Sequence, residues 1–306
     1  MSLARTSRGR EIAGGVLVGT SAILFGVVVV LGKVAMEGDL SVFSTLAFRY
    51  GASAICLVPI LALARRPMLP AKGERGLVFA LGAAGYAVES SFFFGALRHG
   101  TAAAVTLLFY VYPVIILVAS VALGRGRPSR MLLSSLLFAV AGAAMVIVSG
   151  GGIEIQALGV AFAFGSAFTF SAYVLGAEHA LKRTDPFTAS LWVCIGATLG
   201  CATFALGSGT LTVPDRAVEW WNVAGMGVGT AAAFICMLSG LRIVGAVRTS
   251  IISSMEPLAA AVLAYVLLSE SVGLGTFIGG TMILVGAIGA SLARPLGEEP
   301  ALEPVP

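Results

Sequence analysis

The sequence predicts an all-α integral membrane protein of ten transmembrane helices, arranged as two inverted five-helix repeats. Three observations predict it. The first is composition: of 306 residues, 58% are hydrophobic and 11% charged, with mean hydropathy +0.98. Soluble domains carry about 25% charged residues, so this chain cannot cover a water-facing surface. The second is length. Crossing a bilayer core takes about 20 apolar residues, and ten runs fit: 13–36, 42–63, 76–97, 102–123, 131–149, 157–180, 187–207, 218–241, 247–268 and 273–293. The third is an internal duplication. A single ungapped offset of 144 pairs Pro113 with Pro257, Leu97-Arg98 with Leu241-Arg242, and Ala102 with Ala246. It also pairs Gly15 with Gly159, Leu31-Gly32 with Leu175-Gly176, Phe43 with Phe187, Gly85 with Gly229, and Gly142-Ala143 with Gly286-Ala287. One register held over that span points to a repeat. Five crossings per copy is odd, so the second copy enters the bilayer from the other face. That is the inverted architecture of many secondary transporters.

Taken in order, residues 1–12 form a cytoplasmic N-terminus, 13–149 the first repeat, 157–293 the second, and 294–306 a disordered cytoplasmic tail. Arg5, Arg8 and Arg10 precede the first run. That run exceeds a signal-peptide core and lacks a small-residue cleavage site, so it is read as a membrane helix. Connections between runs are short and leave no room for a soluble domain. The tail is acidic and proline-rich, the composition of a disordered segment.

Lysine and arginine set the orientation. With the N-terminus in the cytoplasm, fifteen of the nineteen fall on inner segments, among them Arg242 and Arg248. Only Arg98 and Arg216 are outside, while Lys33 and Arg49 lie within helices. The asymmetry places both termini inside, in an inner (plasma) membrane. Trp220 and Trp221 open the eighth run at the outer interface, where tryptophan anchors helices.

Glycine spacing predicts close helix packing. Gly15 and Gly19, Gly196 and Gly200, and Gly275 and Gly279 each make a GxxxG pair. Gly225, Gly227 and Gly229 resemble part of a nucleotide loop, but no strand precedes them. Cys56, Cys194, Cys201 and Cys236 all lie in apolar runs without CxxC spacing, and read as packing residues. His99 and His179 are isolated near helix ends. No metal, no cofactor and no nucleic-acid partner is expected. No GxxxxGK[ST] loop is present, so ATP does not drive the protein directly.

Polar residues inside the spans carry the functional reading. A charge at a helix centre in lipid costs roughly 2.5–3.5 kcal/mol on insertion scales, so Lys33, Arg49, Glu89 and Glu256 require reasons. Arg49 and Glu89 lie at matching depths, which suggests an ion pair between the second and third helices, structural or part of a gate. Lys33 is near the outer surface, where snorkelling explains it as well as function does. Glu256 stands near mid-depth, with Thr249 and Ser253 on the same helix face. A carboxyl that takes a proton on one side and releases it on the other would couple transport to protons. The first repeat presents Thr106, Tyr110 and Pro113 at the matching spacing, with Tyr112 in the place of Glu256. Tyr86 shares a face with Glu89, and the sixth helix adds Ser166, Thr169 and Tyr173. Tyrosine suits amphiphilic organic solutes, and serves equally in interhelical packing. Pro113 and Pro257 interrupt helix hydrogen bonding and are candidate hinges.

Several segments resemble the EamA family of the drug/metabolite transporter superfamily. They are Phe94-Gly95-Ala96-Leu97 with Thr101-Ala102-Ala103-Ala104 and Pro113, then Gly240-Leu241, Gly245-Ala246 and Met255-Glu256-Pro257. Leu267-Leu268-Ser269-Glu270 with Gly279-Gly280 and Gly286 is similar to the family's closing signature, whereas the first repeat has Gly126 at the place of Glu270. The resemblance covers residues 13–293. It implies ten helices with a central cavity formed by helices 1–4 and 6–9, and helices 5 and 10 as outer supports. It also implies export of amino acids or other small metabolites, with import as the variant.

The expected protein is therefore a permease for a small organic solute, an exporter working by alternating access, as a monomer or homodimer. The rivals are a passive channel and an intramembrane enzyme. For the latter, Ser253 and Glu256 share a helix, but no membrane histidine or paired aspartate completes a site.

Overall fold

The computed structural model describes residues 2–35, 40–149, 154–268, 273–294 and 296. The side chain of Lys33, Ser269-Glu270 and residues 297–306 of the tail lie outside the described residues. Helix α1 runs over Ser2–Ala35 and α2 over Val42–Leu63. The third crossing combines α3 (Arg75–Ala80), a π-helical turn (Leu81–Tyr86) and α4 (Ala87–Leu97). The fourth combines α5 (Ala102–Phe109) and α6 (Tyr112–Ala122), and α7 is Arg130–Ser149. The second half repeats the plan with α8 (Ala157–Ala180), α9 (Pro186–Gly207), α10 (Ala217–Ser253), α11 (Glu256–Leu268) and α12 (Leu274–Leu292). Nine described stretches are long and apolar enough to cross a membrane. One more crossing, the ninth in chain order, is the end of α10 plus α11, and α12 is the tenth. Helix α10 is itself two helices that meet at Gly245, whose backbone (φ 81°, ψ 167°) is not helical.

The offset seen in the sequence recurs in the geometry. The fourth crossing breaks after Tyr110 and the ninth after Ser254, each one residue short of the next helix start. Pro113 and Pro257 then occupy the first turn of α6 and α11, where a missing N–H costs nothing. Ser41 caps α2 by accepting from the Ser44 N–H at 3.2 Å, and Asp185 caps α9 by accepting from the Phe187 N–H at 3.0 Å. The loops also correspond. Ser44 donates to the carbonyl of Thr210 (3.3 Å), and Thr188 donates to that of Pro67.

Packing follows a pseudo-two-fold axis. Helix α1 packs on α10 and α11, as α8 packs on α4 and on α5 and α6. Helices α2 and α9 pack on each other across the axis, and so do α7 and α12. Glycine carries the α7–α12 contact and the one between α9 and the third crossing. A Cβ at Gly279 would stand 3.0 Å from the Met145 Cβ, and one at Gly196 would stand 2.8 Å from the Ala83 backbone nitrogen. The Gly15 and Gly19 pair does not act this way, since it faces side chains of Ser291 and Met255. Gly14 and Gly240 make the close approach of α1 to α10 instead: a Cβ on Gly240 would lie 2.8 Å from the Gly14 carbonyl oxygen.

Candidate functional site

Two groups of polar residues sit inside the bundle. The central one lies where α2, the third crossing, α5–α6, α8, α10 and α11 converge. Its wall is a chain of rings. Tyr86 stands edge-on to Tyr50 (centroids 5.6 Å), Tyr173 (4.7 Å) and Phe234 (5.3 Å). Phe170 stacks on Tyr173 at 5.9 Å and meets Tyr112 edge-on at 4.9 Å, and Tyr110 lies 5.7 Å beyond Tyr112. Both repeats contribute. Tyr86, Tyr110, Tyr112 and Tyr173 are all buried. The Tyr112 hydroxyl donates to the Ser250 carbonyl (3.3 Å), which ties α6 to the end of α10.

Three charges face this wall. Glu89 accepts from Ser166 at 2.8 Å and from Ser90 at 3.2 Å, so α4 is joined to α8 through a carboxylate. Glu256 opens α11, with the Tyr110 and Tyr112 hydroxyls beside it and Arg49 and Glu89 within electrostatic range. The guanidinium of Arg49 lies over the Tyr50 ring, 4.4 Å from its centroid, and donates to the Tyr50 hydroxyl.

The ion pair expected between Arg49 and Glu89 is not formed. Matched depth put the two residues at one level, but Glu89 turns to the serines of α4 and α8 and Arg49 turns to its own neighbour. The other sequence candidates divide. Ser253 lies beside Tyr112, and Thr249 is buried with its hydroxyl unpartnered. Thr169 gives its hydroxyl to the Gly165 carbonyl of its own helix at 2.8 Å, which leaves it a packing role. Thr106 is half-buried on α5.

The second group was missed by the sequence reading. It lies at the end of the bundle where α1 begins, around an open cavity of about 620 Å³ lined by Glu11, Arg125, Glu178, Lys182, Arg242 and Arg248. Arg248, counted above as a surface charge, is 3% exposed. Its Nε donates to the Val244 carbonyl (2.9 Å), and Nη1 reaches the Ala293 carbonyl (3.0 Å) and Glu11 (3.1 Å). Glu178 pairs with Arg125 and accepts from the Ala246 N–H at 2.8 Å. It thus caps the short helix that follows Gly245, where a carboxylate meets the positive end of the helix dipole. A glycine three residues before an arginine, at the seam of two apolar runs, was the available signal.

Gly245 is held in a conformation that is essentially glycine-only. Gly245→Ala is therefore expected to lower stability by about 1–3 kcal/mol, with added crowding of the Glu178 carboxylate, 3.1 Å from the new Cβ. Thermal unfolding in detergent measures it. An unchanged midpoint would mean the turn relaxes freely.

Comparison with known proteins agrees with this architecture. Residues 12–148 and 157–292 each match the EamA-like transporter family. A Salmonella typhimurium protein described as an uncharacterized inner membrane transporter, YicL, is 26% identical over 208 residues. That match spans 64% of this chain and 66% of the relative's length. An uncharacterized transporter of Archaeoglobus fulgidus is 26% identical over 197 residues, spanning 64% of this chain and 69% of that protein. One solved crystal structure superposes with a TM-score of 0.77 at 20% identity, covering 91% of this chain and 98% of the other. The likeness in structure is one of fold. The duplicated match, over both halves and nearly the whole chain, decides the family: this protein belongs to the EamA-like transporter family.

Proposed function

We propose that the protein is a secondary carrier that exports a small organic solute, an amino acid or related metabolite, by alternating access. Residues 13–149 and 157–293 are its two moving units, and the end where α1 begins faces the cytoplasm of an inner membrane. One observation carries the reading: Arg49 and Glu89 of the first repeat and Glu256 of the second meet at one aromatic wall between the repeats. Charges inside a bilayer are costly and mark solute or ion pathways. Discontinuous helices at a repeat interface are where such carriers bind solute. The breaks at Tyr110 and Ser254, each followed by a proline, give both units a place to bend. The excess of Lys and Arg at one end supports the orientation. Glu256, with Tyr110, Tyr112, Arg49 and Glu89 around it, is the candidate proton-coupling group.

Counterflow in proteoliposomes, with a panel of amino acids and metabolites at two pH values, tests the proposal. Saturable exchange of at least one solute is expected. Conductance without saturation would make the protein a channel, and absence of flux for the whole panel would overturn transport of this solute class.

A further inference from the structure

We infer that Arg49 is the group that receives the carboxylate of the bound solute. The inference deepens the carrier reading above by assigning one end of its site. A guanidinium keeps its charge in any protein environment and presents a planar fork of donors. Two arginines at the end of the bundle where α1 begins have anionic partners. Arg248 meets Glu11 and two carbonyl oxygens, and Arg125 meets Glu178. Arg49 meets no carboxylate among the described residues. One of its donors goes to the hydroxyl of Tyr50, and its Nε–H is buried without a partner. A buried donor left unpaired is unfavourable, more so on a charged group. The nearby carboxylates do not relieve it. Glu89 is held by two serine hydroxyls, and Glu256 sits among the hydroxyls of Tyr110 and Tyr112.

A guanidinium with an unpaired Nε–H therefore suits an anionic group that arrives with the solute. A carboxylate matches it, because its two oxygens can accept in parallel from the same guanidinium. The geometry also says what the rest of the solute is like. Next to Arg49 stand the rings of Tyr50, Tyr86 and Phe234, which offer an apolar wall. A carboxylate carried on an apolar body would satisfy both the guanidinium and the rings. Tyr50 then acts as a rest for the guanidinium when the site is empty.

The test uses the detergent-solubilised full chain and measures ligand binding by thermal shift and by direct titration. The probes share one body: L-phenylalanine, 3-phenylpropionate, L-phenylalaninamide and phenethylamine, with leucine, leucinamide and 4-methylpentanoate as an aliphatic set. Wild-type protein is expected to bind the carboxylates about ten- to a hundredfold more tightly than the matching amides, the worth of a charge-assisted pair. Arg49→Gln is expected to bring that ratio to within about threefold, and Arg49→Lys, with the charge but no fork, to keep part of it. The ratio is taken within each variant, so a lower yield of folded protein does not mimic the result. The inference is overturned if Arg49→Gln keeps the preference, if wild type prefers the amides, or if it binds none of the carboxylates. Carboxylate binding without counterflow would sink the carrier reading and leave this assignment standing.

Discussion

Gly196→Leu is expected to leave almost no folded protein. Gly196 lies on α9 where it crosses the π-helical turn of the third crossing. A Cβ there would lie 2.8 Å from the Ala83 nitrogen and 3.2 Å from the Gly82 Cα. The reciprocal holds, since a Cβ on Gly82 would lie 2.8 Å from the Ala197 nitrogen. Overpacking an ordinary core costs about 1–3 kcal/mol, because side chains shift. Here the obstructing atoms are backbone on two helices, one from each repeat, and neither can move without opening the interface. In lipid, where no hydrophobic effect holds helices together, close backbone packing is a main source of association. Against a total stability of about 5–15 kcal/mol, such a loss empties the folded state. Gly207→Leu, at a position on the same helix with nothing within 4 Å of its would-be Cβ, is the control and should behave as wild type. Size-exclusion profiles after mild extraction read both. A monodisperse Gly196→Leu peak with an unchanged unfolding midpoint would show that the interface yields.

The duplication made much of this fold legible. Pro113 and Pro257, set in one register, marked where two helices weaken, and the breaks at Tyr110 and Ser254 lie just before them, where the missing N–H is best tolerated. The paired caps Ser41 and Asp185 fall on the same offset and could have been read with it. The π-helical turn at Leu81–Tyr86 could not. No residue type specifies it. It arises where Gly82 lets α9 press against the backbone, a tertiary effect. The candidate site was partly legible for a related reason. Hydropathy gives the depth of Arg49, Glu89 and Glu256, and spacing gives the face of each helix. Neither gives the rotation of one helix against another, so the expected Arg49–Glu89 pair was set at the right level but in the wrong direction. Glu11 and Arg248 were harder still. They stand 237 residues apart in sequence, and nothing local joins them.

Glu256→Gln is expected to abolish accumulation driven by a pH gradient while leaving solute exchange intact. The two readouts separate because exchange moves one solute against another and needs no net proton. A gradient-driven cycle needs a group that binds a proton in one state and loses it in the other. Among the three charges at the central wall, only Glu256 suits that task. Arg49 keeps its charge. Glu89 is fixed by Ser166 and Ser90, hydroxyls that donate to it and tie α4 to α8, so a change of state there would have to break both bonds. Glu256 begins α11 directly after a break in the backbone, where bending of the second repeat would change its surroundings most. The expected loss in gradient-driven accumulation is at least about tenfold, the effect of 1.4 kcal/mol or more of lost driving force. Exchange should stay within about threefold of wild type, because glutamine keeps the size and a hydrogen-bonding end. Glu89→Gln serves as the comparison and should retain coupling, with its cost appearing in stability as the link between α4 and α8 weakens. If the outcomes were reversed, with Glu89→Gln uncoupled and Glu256→Gln still driven by the gradient, the proton would belong to the first repeat. Glu256 would then have no part in coupling.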